Sequence, residues 1–140
     1  VSTGILVPVA PGELIDKITI LRIKAARIDD AARRENVRHE LGLLSGLAAR
    51  ALPAMPELAA LEAELGEINA RLWEIEDAIR AADARGDFGT DFVALAQAVY
   101  HTNDRRAAVK RRINLLLGSA IVEEKSYHAH GGAEDGEPGM

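Results

Sequence analysis

"PELAALEAELGEINARLWEIEDAIRAADA", residues 56–84, is the stretch whose reading decides the fold. Its apolar residues recur at Leu61, Leu65, Ile68, Leu72, Ile75 and Ile79. That three-and-four spacing puts them on one side of an α-helix. Pro56 suits the first helical position, where a missing N–H goes unnoticed, and "RGDFG", 85–89, is turn material. The helix is roughly 40 Å long at about 1.5 Å per residue, long for one small domain.

Working outward, the chain reads as helix on both sides. Thr90 is the expected N-cap of a fourth helix that runs to about Leu117 and stops at Gly118. Upstream, "APGELIDKITILRIKAARIDD" repeats the helical spacing at Leu14, Ile18, Leu21, Ala25 and Ile28. Asp29 or Asp30 caps a second helix with Val37, Leu41, Leu44 and Ala48 in phase. Gly42 and Gly46 make it the weakest of the four, because glycine gains least from helix formation.

The fold class expected is all-α in the main, a four-helix antiparallel bundle or a long helical hairpin. A short strand pair between the N-terminal "ILVPVA" and the C-terminal "SAIVEEKSY" stays open as an addition. Residues 1–127 form a single helical domain in this reading. Residues 128–140, "HAHGGAEDGEPGM", have too few apolar groups to offset the entropy of ordering and read as a flexible tail. Two long helices with a second semi-apolar face point to a homodimer.

Composition narrows the function classes. A chain of 140 residues with 48% hydrophobic content supports one domain with a genuine core. Its net charge of −5 argues against a dedicated nucleic-acid binder, which needs a broad basic surface. Without cysteine it has no disulfide, thiolate metal site or cysteine nucleophile. No run approaches a membrane span, and "VSTGILVPVA" lacks the layout of a signal peptide, so a cytoplasmic location without membrane association is expected.

One stretch departs from the acidic balance. "VYHTNDRRAAVKRRIN", 99–114, carries five cations between Arg105 and Arg112. Helical phase sorts them. Phe92, Val99, Val109, Ile113 and Leu117 share the core-facing arc, and the seam beside it continues through Asn103, Arg106 and Lys110, with Asn114 on its flank. Arg105, Arg111 and Arg112 fall on the solvated side. Ionised groups on a core seam are costly to desolvate unless paired, so Arg106 and Lys110 require a partner. Glu76, at the border of the third helix's stripe, is the expected counter-charge, with Asp16 of the first helix as a second choice.

Two functional readings remain open. In the first, Arg106 grips a carboxylate or phosphate, Lys110 adds a point charge, Asn103 and Asn114 orient the ligand and Glu76 serves as acid or counter-charge, which gives a small-anion site that could serve an enzyme. In the second, the seam is a structural salt-bridge network in a non-enzymatic assembly module. No catalytic triad, cofactor motif or metal-ligand spacing is present. "ELGE" and "EIED" lie on one helix as solvated charges, and His128 with His130 are too few ligands for a metal. Trp73 and Tyr100 read as core or interface residues.

Taken together, "PGELIDKITILRIKAARI", "LWEIEDAIR", "VYHTNDRRAAVKRRIN" and "GSAIVEEKSY" resemble an uncharacterised bacterial family, the domain of unknown function numbered 6165. The resemblance covers about residues 5–127 and brings no activity with it. It directs attention to Gly12, Glu13, Asp16 and Lys17, then Trp73, Glu76 and Asp77, then Asn103, Asp104, Arg106, Lys110, Arg111 and Asn114, and last Glu123, Glu124, Lys125 and Tyr127. Asp16 and Lys17 thereby join Arg106, Lys110, Asn103, Asn114 and Glu76 as candidate site residues. Arg22 stands where the family pattern has an acidic residue.

Overall fold

The computed structural model describes residues 3–122 and 124. Four helices follow in order: α1 (Pro11–Arg27), α2 (Ala31–Ala51), α3 (Pro56–Ala84) and α4 (Thr90–Leu116). The helical boundaries follow the expected signals closely. Pro11 and Pro56 each open a helix. The Asp30 side chain caps α2 by accepting from the Arg33 N–H at 3.0 Å. Arg34 ties down the preceding turn by donating to the Ile28 and Asp29 carbonyls.

Both long helices end the same way. Gly86 and Gly118 have φ of 69° and 63°, a conformation that favours glycine. Past α4, the Gly118 N–H bonds to the Leu115 carbonyl and the Ser119 N–H to Asn114. Gly86 and Asp87 repeat the pair on Asp83 and Ala82 at the end of α3. These two bonds satisfy carbonyls the helix leaves open and reverse the chain. At the start of α4 the expectation is corrected. Thr90 lies inside the helix, and the cap is Gly89, with no side-chain cap bond.

The α3–α4 hairpin is the frame, and α1 packs against both of its helices and against α2. Ile15 of α1 enters a core with Leu58, Leu61, Leu65 and Ile68 of α3 and Val109 and Ile113 of α4. Leu52, Met55 and Leu117 close it at one end. Leu14, Ile18 and Leu21 are also buried. By phase they centre about a quarter turn around α1 from Ile15. Each such side chain contributes about 1.5–3 kcal/mol. α1 is thus buried over a broad arc.

α2 is held quite differently. It touches α1 and neither α3 nor α4, and none of its residues is buried. Beyond Ile75 the hairpin is also thin, since from Glu76 to His101 only Ala82 is buried. The molecule is therefore a long hairpin with two helices laid on one part of it, the all-α class expected. The strand pair is absent among the described residues. Ile5, Leu6 and Val7 form no strand and have exposed side chains, and residues 119–122 form no strand. Pro8 offers no N–H to a ladder. Most of "VEEKSY" and all of 128–140, where the tail expectation falls, lie outside the described residues.

Candidate functional site

The polar seam of α4 meets the first turns of α1. The Asp16 carboxylate, 1% exposed, is the centre of the cluster. The Arg106 guanidinium approaches it in a fork, Nε donating to Oδ1 at 2.9 Å and Nη2 donating to Oδ2. Asn69 of α3 donates through Nδ2 to Asp16 Oδ1 at 2.9 Å and to Thr19 Oγ1 at 2.8 Å. The Thr19 hydroxyl in turn donates to the Asp16 carbonyl at 2.8 Å. Three helices therefore meet on one carboxylate.

One turn toward the N-terminus of α1, Lys110 Nζ donates to Glu13 Oε2 at 2.7 Å and lies 3.9 Å from Asp16 Oδ2. Its side chain is only 10% exposed. A further turn along α4, Asn114 Oδ1 accepts from the Gly12 N–H at 2.7 Å. Gly12 is required here for space. A Cβ at that position would stand 2.5 Å from the Lys110 carbonyl oxygen and 2.9 Å from Asn114 Oδ1. The register of α1 on α4 is set by this approach and by the three ion and amide contacts that follow it.

Electrostatics favour the ionised acid. Burial pushes the Asp16 carboxyl up, but hydrogen bonds from Arg106 and Asn69, with the charges of Arg106 and Lys110, outweigh it and hold the group below its ordinary value. Among the described residues no buried side-chain nitrogen or oxygen lacks a hydrogen-bond partner. Two surface depressions, of about 360 and 340 Å³, are lined by neither Arg106 nor Asp16, although Thr19 of the cluster lines the second. Pro53, Met55 and Leu58 help line the first, and Arg22, Glu62 and Gly66 the second.

The seven candidate residues separate into two groups. Asp16, Arg106, Lys110 and Asn114 belong to the cluster, and Asn103 joins it by accepting from Arg106 Nη1 at 3.5 Å. Glu76 does not join it, and the expected pairing is corrected: Arg106 takes Asp16 and Lys110 takes Glu13. α3 reaches the cluster at Asn69, and Glu76 lies seven residues further along, about 10 Å at ~1.5 Å per residue. Lys17 is exposed, 4.0 Å from Glu13 on the rim. Asn69 and Thr19 complete the cluster without being among the seven candidates; both are polar residues on helix faces that also carry buried apolar ones, the signal by which a sequence marks them.

The remaining cations sit as phase predicts. Arg105, Arg111 and Arg112 are exposed, Arg111 pairing with Glu124 at 2.5 Å and Arg112 with Glu64 at 3.2 Å. Arg22 is exposed and meets Glu62 at 2.9 Å. Among the described residues no group of three or more potential ligands could hold a metal ion, and no helix is long and apolar enough to cross a membrane. Comparison with known proteins finds no matching curated protein and no matching solved structure. It does find a family of unknown function, DUF6165, whose pattern matches residues 5–133. With the match extending over nearly all of its length, the chain belongs to the DUF6165 family.

Proposed function

We propose that the protein is a non-enzymatic helical interaction module, homodimeric, in which the polar seam is an internal clasp that fixes α1 on the α3–α4 hairpin. The observation that carries this reading is the pairing of Arg106 with Asp16 and of Lys110 with Glu13. The cations that a small anion would need already hold carboxylates of their own chain. A free carboxylate or phosphate would have to displace Asp16 from a fork it fills with both oxygens, leaving a buried acid without its cation. The clasp in turn gives the outer helices a fixed platform, which is what a docking surface requires.

The discriminating experiment is thermal unfolding of the full chain and of Arg106→Ala with phosphate, sulfate and a set of dicarboxylates at matched ionic strength. No anion is expected to raise the wild-type midpoint more than that of the variant. A ligand specific to the native site would stabilise by about 2.7 kcal/mol at a hundred times its Kd. Such stabilisation, confined to the wild type, would overturn the module reading in favour of a small-anion site.

A further inference from the structure

The proposed module needs an interaction surface, and α2 offers one that the monomer does not use. Among the described helices α2 packs on α1 alone, through the side that carries the half-buried Val37, Leu41, Leu44 and Ala48. At about 100° per residue, Glu35, His39, Gly42, Leu43, Gly46 and Arg50 share the opposite side. Leu43 is 60% exposed, and its neighbour Leu47 is 42% exposed. Among the described residues no close approach requires either glycine. A Cβ at Gly42 would meet nothing within 4 Å, and one at Gly46 only the mobile end of Arg50. Helix-interior glycine is unfavourable, and among the described residues no turn or tight contact explains it.

We infer that the outward face of α2 is the surface on which a second copy of this chain docks, α2 against α2 and antiparallel. This rests on the module reading and names its partner. Charge selects both the occupant and the direction. Glu35 and Arg50 stand near opposite ends of the face, and both are exposed. A two-fold axis between Gly42 and Leu43 sets Arg50 of one copy level with Glu35 of the other, twice over. It also sets His39 level with Gly46, a ring against a gap. A parallel pairing would bring Glu35 to Glu35 and Arg50 to Arg50, which repel. The glycines let the two helix backbones approach closely while Leu43 and Leu47 supply apolar contact. A single helix pair covers less than the roughly 800 Å² per partner of a standard interface, so the dimer is a reversible one.

Sedimentation equilibrium of the full chain from about 5 to 500 μM tests this. Wild type is expected to pass from monomer to dimer mass across that range. Leu43→Lys should stay monomeric. Glu35→Arg and Arg50→Glu should each weaken association several-fold, and the double variant should regain most of it. Gly42→Ala should weaken association while raising the unfolding temperature of the dilute monomer, a pairing of effects that mere misfolding would not give. A wild type that stays monomeric overturns the inference, and so does a Leu43→Lys chain that dimerises as well as wild type. The second result, with no anion stabilisation, leaves the module reading standing on another face. Anion stabilisation specific to wild type removes the reading itself, whatever α2 does.

Discussion

Replacing Asp16 by asparagine is the perturbation to which this fold should be most sensitive. The side chain keeps its size, so no cavity forms. What changes is charge and hydrogen-bond direction. Asp16 accepts two bonds from Arg106 and one from Asn69, with the Lys110 ammonium 3.9 Å away. An amide in its place must present its NH₂ to the guanidinium in either orientation, and in one of them to the Asn69 amide as well, donor against donor. Removing one partner of a buried ion pair costs about 3–5 kcal/mol. The Arg106 side chain is 28% exposed and recovers some hydration, which places Asp16→Asn at the lower end, about 3 kcal/mol. For a domain of this size that is roughly 10 °C in Tm. Urea unfolding at pH 7, followed by helical circular dichroism, measures the loss directly. A double-mutant cycle with Arg106→Ala separates the pair from its surroundings, with coupling of about 2 kcal/mol or more expected against at most ~1 for the exposed Arg22–Glu62 pair. A loss below about 1 kcal/mol, or coupling no larger than that of the surface pair, would refute the clasp.

Three further expectations follow from the same geometry. Because the folded-state pKa of Asp16 is depressed, the unfolded chain binds more protons as pH falls below the ordinary aspartate range, so this contribution is full above that range and is lost as pH drops through the folded value; acid titration of unfolding free energy should show the loss in wild type and a flatter profile in Asp16→Asn. Gly12→Ala should destabilise by about 1–3 kcal/mol, since the added methyl strikes the Lys110 carbonyl, and unchanged stability in urea would show that α1 is not held this closely. Arg112→Ala, which removes an exposed partner of Glu64, should move the urea midpoint by the equivalent of ~1 kcal/mol or less.

What was legible in the sequence was whatever depends on rotation about a single helix. The stripe from Leu61 to Ile79, the stops at Gly86 and Gly118 and the sorting of Arg106 and Lys110 from Arg105, Arg111 and Arg112 are local properties, set by a period of 3.6 residues. The partner of Arg106 is a different kind of quantity. Glu76 and Asp16 both lie on semi-apolar helix borders, and choosing between them requires knowing where α1 and α3 rest on α4, and the Arg106–Asp16 contact spans 90 residues of chain. The steric need for glycine at position 12 was hidden for the same reason, since only the neighbouring carbonyl reveals it. Periodicity also says that α2 has an apolar side, but not that α1 is its sole support among the described residues.

That sole support fixes an order of events in the native ensemble. Any opening that unfolds α1, with loss of its Asp16, Glu13 and Gly12 contacts to α4, leaves α2 with no helix among the described residues to pack on. The reverse does not hold, because α2 can fray while α1 keeps its seat on the hairpin. In hydrogen exchange, amides of α2 in the monomer should therefore never be slower to open than those of α1, and the two outermost elements form a nested pair of unfolding units above a more persistent hairpin base.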